Sequence, residues 1–206
     1  MTKRYLPIEQ VYGIVLRAIP SGDSDLIVHI LSPENGRLTA VAPRMRKANQ
    51  RSGVRLDGFD LGTFELKRGR SNLPTIGLFI PQSSWPEIRE NLDRITAASC
   101  ICEAILMLLP EGSISDDGLF EITIDSIQKL CKTSEIREIL AILLQSLEKI
   151  LTSTGYMQEF SSKGGAKRLA YLLSAIEEVG ESRLVTKSAV EQIINRFYRE
   201  QQNPEH

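Results

Sequence analysis

The spacing of apolar residues changes once along this chain of 206 residues, close to Pro81, and that change limits the folds open to it. Before Pro81, apolar residues alternate with polar ones or form short β-branched runs, which is the pattern of strands. After Pro81 they recur about every 3.6 residues, which is the pattern of amphipathic helices. We therefore expect an α+β protein with a β-rich domain at residues 1–81, an all-α helical domain at residues 82–200 and a disordered tail at residues 201–206.

Five strands are predicted in the first domain. Asn35-Gly36 can take the positive φ angles of a tight turn, so the alternating segments on either side of it should form a hairpin. Residues 44–57 are polar, basic and without period, as in a long functional loop. Five strands with short turns and one long connection predict a five-stranded barrel of the oligonucleotide/oligosaccharide-binding (OB) type. The strands are expected at residues 11–19, 25–31, 37–42, 59–67 and 75–80.

Five helices are predicted in the second domain. The first has a proline in its first turn, a position that proline favours, and its apolar stripe continues to Pro110. The third, residues 135–154, carries the widest apolar stripe and is expected at the centre of a bundle. The last two are expected at residues 166–179 and 187–199. The predicted starts and caps of the first three are Trp85-Pro86, then Asp116 or Asp117, then Ser134.

Basic side chains are concentrated in one segment of the β-rich domain. Residues 36–70 hold nine Lys and Arg against three Asp and Glu, a local net charge of +6 in a chain whose net charge is -1. From residue 82 onward there are 13 basic and 19 acidic side chains, a net charge of -6. Such a concentration of positive charge is typical of a surface that binds phosphates. The predicted nucleic-acid-binding residues are Arg37, Arg44, Arg46, Lys47, Arg51, Arg55, Lys67, Arg68 and Arg70.

Few side chains could carry catalysis. The only histidines are His29, which lies inside a strand pattern, and His206, and the three cysteines lie within apolar helical patterns. Neither a phosphate-binding loop nor a dinucleotide fingerprint occurs. We therefore expect no catalytic residue, no metal and no cofactor, and a protein that is not an enzyme. No apolar stretch reaches the roughly 18 residues of a membrane span, so we expect a cytoplasmic protein. Binding of DNA by the basic segment would make it nucleoid-associated.

Three N-terminal motifs resemble the bacterial RecO family in order and spacing. They are residues 12–17 (Tyr-Gly-Ile-Val-Leu-Arg), residues 22–25 (Gly-Asp-Ser-Asp) and residues 36–42 (Gly-Arg-Leu-Thr-Ala-Val-Ala). The basic cluster that follows is also similar to that family. Many RecO proteins insert a four-cysteine zinc module after the position of Gly155-Tyr156, whereas residues 157–163 contain no cysteine. The chain therefore resembles a RecO variant that lacks the module.

The resemblance implies a DNA-binding mediator of recombination and repair without enzymatic activity. Such a protein binds single- and double-stranded DNA, anneals complementary strands, and acts with RecR and the single-strand-binding protein to load the recombinase. Tyr5 and Tyr12 are candidates for base stacking, although packing in the barrel is the alternative for Tyr12.

The sequence is also consistent with a second hypothesis. The chain could be a protein-interaction adaptor whose basic face binds acidic peptides, with DNA contact incidental. Basic side chains of the helical domain are the candidates for partner binding, and ion pairs on the helix surfaces explain them equally well. These candidates are Lys129, Lys132, Arg137, Lys167 and Arg168.

Overall fold

The computed structural model describes residues 8–45, 56–67, 73–113, 118–156 and 165–202. They form two compact units. The first contains the described residues up to Ser84 together with residues 111–113, and the second contains the remainder. Each unit is described by itself below.

The first unit is a closed barrel of five strands in the order β1-β2-β3-β5-β4. All adjacent pairs are antiparallel except β3 and β5, which pair in parallel through Val41 and Thr75. This is the OB-type fold that the sequence predicted. The strands are β1 (Ile8–Ser21), β2 (Asp25–Ser32), β3 (Gly36–Ala42), β4 (Leu61–Lys67) and β5 (Thr75–Ser83).

The barrel interior is filled by the inward-facing set of each alternating strand. Phe64 on β4 and Phe79 on β5 stack with their ring centroids 4.7 Å apart, and Phe64 is fully buried. Period-two alternation along β4 places Phe64 inside together with Leu66, because successive residues of a strand face opposite sides of the sheet. On β5 the two core residues Ile76 and Phe79 are three apart, and the pairing with β4 shifts register between Glu65 and Leu66. The core consists of Val11, Val15, Leu26, Val28, Ile30, Ala40, Ala42, Leu56, Phe64, Leu66, Ile76 and Phe79.

Strand β1 changes partner at its middle, and Gly13 makes that possible. Residues 8–14 of β1 pair with β4, and residues 14–21 pair with β2. A Cβ atom at Gly13 would lie 2.6 Å from Ile30 Cγ2 and 2.7 Å from the Leu31 carbonyl oxygen, so only glycine fits here. A register shift between Val15 and Arg17 follows, as expected where a long strand bends around a barrel corner.

The hairpin predicted around Asn35-Gly36 is present. Gly36 has φ 64°, and β2 and β3 pair in register from Leu26 with Ala42 to Ser32 with Gly36. The outer edge of β3 is also satisfied. The N–H of Arg37 donates to the Ser113 carbonyl at 3.2 Å, that of Thr39 to the Glu111 carboxylate at 3.1 Å, and that of Val41 to the Pro74 carbonyl at 2.9 Å. An edge that would otherwise attract another chain is therefore closed.

The second unit is helical. The long helix α4 is buried along one face, as its apolar stripe predicted, and α5 has the predicted bounds. Helix α6 continues through Gln202, two residues into the segment predicted as a tail. The helices are α1 (Pro86–Arg89), α2 (Leu92–Leu108), α3 (Leu119–Cys131), α4 (Ile136–Ser153), α5 (Ala166–Val179) and α6 (Lys187–Gln202).

Two details of the predicted helices are wrong. The first predicted helix is interrupted, because Asn91 has an extended backbone and its side chain accepts from the N–H groups of Asp93 and Arg94, which starts a separate helix α2. Ser134 does not cap α4: the residue before the helix is Glu135, and no side chain caps it. For α3, the residue before the helix is Gly118, and the predicted caps Asp116 and Asp117 lie outside the described residues.

Candidate nucleic-acid interface

The outer face of β1, β2 and β3 carries two parallel rows of side chains. In one row Arg17, His29 and Thr39 are direct cross-strand neighbours. In the next row the half-buried side chains of Ile19, Ile27 and Val41 are aligned in the same way. Direct cross-strand neighbours have Cβ atoms about 5 Å apart. A polar, basic row therefore runs beside an apolar row on the face formed by strands 2 and 3, where OB-type barrels bind oligonucleotides.

His29 lies at the centre of the polar row. Its Nδ1 is 3.1 Å from the Thr39 hydroxyl oxygen. Its pKa is lowered from 6.5, first by burial and then by the positive charge of Arg37, with a smaller contribution from Arg17, while the Glu111 carboxylate acts in the opposite direction. The ring is therefore neutral at pH 7 in the free protein, and two cationic side chains face it.

Arg37 stands two residues before Thr39 on β3 and therefore shares its outward face. Its side chain is half-buried. Its backbone is bound to residues 112 and 113 by two hydrogen bonds: its N–H donates to the Ser113 carbonyl, and its carbonyl accepts from the Gly112 N–H at 2.7 Å. These bonds fix the backbone at the start of β3, from which the Arg37 side chain extends.

Arg44 and Lys67 lie at the other end of β3. Arg44 is exposed with φ 60°, and its N–H donates to Asp25 Oδ1 at 2.9 Å, which ties it to the β1–β2 turn. Lys67 pairs with Thr75, which in turn pairs with Val41 near the end of β3. Two of the predicted cations thus share one end of the barrel, about 13 Å of strand away from Arg37.

The exposed side chain of Lys67 has a defined path along β5. A Cβ atom at Gly77 would lie 2.8 Å from Lys67 Cε and 3.1 Å from its Nζ, so the lysine stem lies across this glycine. The absence of a side chain at residue 77 makes room for it. The ammonium group is thereby held close to the barrel surface while it remains exposed.

The remaining six of the nine predicted cations fall outside the described residues. The described residues stop at Met45 and resume at Leu56, which is buried in the core. A second gap follows Lys67. The six are Arg46, Lys47, Arg51, Arg55, Arg68 and Arg70.

The sequence did not predict Arg17 or His29 as DNA-binding residues. The alternation in β2 does indicate that His29 and Ile27 share the outward side of the strand, and this pattern could have pointed to His29. The position of Arg17 beside His29 depends on the register shift after Val15, and alternation does not predict where such a shift occurs.

Tyr12 is on a different face, formed by β1, β4 and β5. It pairs with Thr63, which pairs with Ile80, so the three form a cross-strand row on the outside of the barrel. Tyr12 is 36% exposed and Ile80 is 51% exposed. The tyrosine is therefore absent from the barrel core, and Tyr5 lies outside the described residues.

Two of the five candidate partner-binding side chains of the helical unit are already in ion pairs. Lys129 Nζ is 2.7 Å from Asp125 Oδ2 within α3, and Arg168 pairs with Glu148. The other three are exposed: Lys132, Arg137 and Lys167. Surface pairing thus explains part of this set, and partner binding by these residues stays a prediction.

Other functional groups are scarce in the part of the chain that the structure describes. Burial raises the pKa of the Cys100 and Cys102 thiols to about 12, so neither is a thiolate at neutral pH. Across those residues, His, Cys, Asp and Glu do not gather in any group of three that could hold a metal ion. None of the described helices is both long and apolar enough to cross a membrane.

The barrel is closed, has OB topology, and carries Arg17, His29 and Arg37 on its strand 2–3 face. These features define the class of protein: an OB-type barrel with a basic outer face, joined in one chain to a helical unit. Comparison with known proteins then narrows the class. The family model described as "Recombination protein O N terminal" matches residues 7–78, which include most of the barrel.

Curated relatives extend the similarity into the helices. DNA repair protein RecO of Gloeobacter violaceus is 35% identical over 147 residues, which are 71% of this chain and 55% of that protein. DNA repair protein RecO of Synechocystis sp. is 31% identical over 151 residues, which are 73% of this chain and 55% of that protein. The chain is therefore similar to RecO proteins through most of the barrel and into the helices. It spans about half the length of the curated relatives that it matches.

Proposed function

We propose that this chain is a DNA-binding mediator of recombination and repair that acts without catalysis. The observation that carries the proposal is the placement of Arg17, Arg37, Arg44 and Lys67 on or beside the strand 2–3 face of an OB-type barrel. The relatives' name, DNA repair protein RecO, supports the same role.

The proposed binding mode follows from the two rows on this face. Arg and Lys side chains that contact phosphates displace condensed counterions, so affinity depends on salt and hardly on sequence. The apolar row of Ile19, Ile27 and Val41 offers contact to bases or sugars without any pattern of donors and acceptors that would read a sequence. Single- and double-stranded DNA both present the phosphates that this surface binds.

Strand annealing is a consequence of that binding mode. Two complementary strands repel each other through their phosphates, and a basic surface that holds both reduces the repulsion. Because the protein contacts the backbone more than the base edges, the bases remain available for pairing. The family further suggests RecR and the single-strand-binding protein as partners in loading the recombinase, for which the helical unit is the proposed platform.

The chemistry of the described side chains supports a role without catalysis. His29 Nδ1 is hydrogen-bonded to the Thr39 hydroxyl, and the two buried thiols are fully protonated at neutral pH. Binding and alignment of strands need no nucleophile or general base.

The annealing activity is tested with two complementary oligonucleotides that carry a fluorophore and a quencher. We expect the protein to accelerate quenching several-fold over the spontaneous rate, for complementary pairs of unrelated sequence alike, since backbone contacts carry no sequence information. A non-complementary pair serves as the control and should give no quenching. If the protein binds both strands yet leaves the rate of pairing unchanged, the annealing part of the proposal is wrong. If it ignores DNA but binds an acidic peptide, the adaptor hypothesis replaces it.

A further inference from the structure

We propose that Arg17, His29 and Arg37 form a binding site for one backbone phosphodiester of DNA, in which His29 acts as a protonated ligand. The inference rests on the proposed function, because it assigns a proton-linked contact to the DNA surface described above. The sequence did not predict that these three residues form one site, and only Arg37 was predicted to contact nucleic acid.

The geometry brings the three side chains to one place. Arg17 and His29 are direct cross-strand neighbours, and Arg37 is diagonal to His29 because it lies two residues before Thr39, the direct neighbour of His29 on β3. Direct neighbours have Cβ atoms about 5 Å apart and diagonal ones about 7 Å apart, within reach of two long arginine side chains. A phosphate group above the His29 ring would therefore contact all three.

The hydrogen bond between His29 and Thr39 leaves one ring nitrogen for a ligand. Nδ1 is engaged with the Thr39 hydroxyl, which can either donate or accept. When the ring is protonated, Nδ1–H donates to Thr39 and Nε2–H can donate to a phosphate oxygen. The same local structure thus serves the neutral and the protonated ring, and protonation requires no rearrangement.

The charges around His29 explain why a phosphate would change its protonation. Arg17 on β1 and Arg37 on β3 both disfavour the imidazolium, and Glu111 at the outer edge of β3 favours it. Glu111 is held in place because it accepts the N–H of Thr39. In the free protein burial and the arginines prevail, and the pKa of His29 lies below 6.5. A bound phosphate adds a second negative charge and neutralises the arginines, so it raises the pKa of His29.

The consequence is DNA binding that strengthens as the pH falls. The complex takes up a proton that the free protein lacks, and a difference of one pKa unit between the two states corresponds to a tenfold change in affinity. We expect about tenfold tighter binding at pH 5.5 than at pH 8, since a charge at this distance typically shifts a pKa by about one unit or more.

The experiment measures fluorescence anisotropy of labelled oligothymidylate at constant ionic strength between about pH 5.5 and pH 8, a range in which thymine and phosphodiesters do not titrate. Parent, His29→Gln and His206→Gln are compared. Since these are the only two histidines, the second variant is the matched control. Parent and His206→Gln should show the tenfold change, and His29→Gln should bind with one affinity throughout.

A second measurement needs no variant. The NMR signal of the His29 Cε1–H group, titrated in the parent with and without oligothymidylate, should show a higher pKa in the complex. If parent affinity is independent of pH, if His29→Gln retains the parent's slope, or if the pKa of His29 is unchanged by DNA, the inference is overturned while DNA binding stands. If no DNA binds at any pH, the proposed function fails and the inference falls with it.

Discussion

Replacement of Arg44, Arg46 and Lys47 by glutamate should weaken binding of single-stranded DNA by about 100-fold at about 0.1 M salt. Each lost phosphate contact reduces the magnitude of the slope of log affinity against log salt by about 0.7. At about 0.1 M salt the logarithm of the salt concentration is about -1, so each contact accounts for about 0.7 log unit of affinity and three contacts for about 2 log units. Arg44 is exposed two residues after the end of β3, and Arg46 and Lys47 follow it after Met45 in the sequence. Fluorescence anisotropy with one labelled oligonucleotide measures the loss.

The helical unit offers a control with the same change in net charge. Lys129, Lys132 and Arg137 are exposed there, and their replacement by glutamate also removes three positive charges and adds three negative ones. If location decides binding, this variant should keep the parent's affinity within about twofold. Equal losses in both variants would mean that net charge alone drives binding, and full affinity in the barrel variant would show that its basic segment does not bind DNA.

Phe64→Ala should cost about 3 to 5 kcal/mol of unfolding free energy. The ring is fully buried and stacks on Phe79, so its removal forfeits transfer free energy and leaves a cavity where the inward faces of β4 and β5 meet. Natural domains are stable by only about 5 to 15 kcal/mol in total, so the barrel should be close to unfolding. Urea denaturation followed by circular dichroism measures the change.

Leu78→Ala on the neighbouring strand is the matched control. Leu78 is 45% exposed on the outside of β5, opposite Glu65, so its truncation should cost about 0.5 kcal/mol. A Phe64→Ala variant as stable as Leu78→Ala would contradict the placement of this ring in the barrel core. Because the two units can unfold separately, the transition of the barrel should be followed by hydrogen exchange of β4 as well.

The barrel was predictable because alternation is regular over most of its strands, and most regular in β2. Leu26, Val28 and Ile30 face the core as their alternation requires, and Gly36 takes the positive φ that its turn needs. The break between α1 and α2 was missed because the apolar stripe continues across it. A side-chain cap at Asn91 outweighed that stripe locally, and a cap of this kind depends on one hydrogen-bonding side chain more than on periodicity.

The candidate site was predictable only in part. The excess of basic residues between Gly36 and Arg70 predicted which segment binds DNA. In the structure Arg37 lies at the start of β3, and Lys67 and Arg44 lie near its other end. The excess of basic residues could not predict the cluster around His29, because that cluster joins β1 to β2 across a register shift. Nor could composition show that Glu111, far along the chain, would supply the carboxylate that faces His29.

The most direct test of the account is the salt dependence of DNA binding by the parent protein. Anisotropy of labelled oligothymidylate is titrated at several salt concentrations from about 50 to about 300 mM, and log affinity is plotted against log salt. Neutralisation of about three to seven phosphates predicts a straight line with a slope between about -2 and -5, and a similar slope for an oligonucleotide of unrelated sequence. A slope near zero, or affinity that depends strongly on sequence, would contradict a barrel that holds DNA by its phosphates.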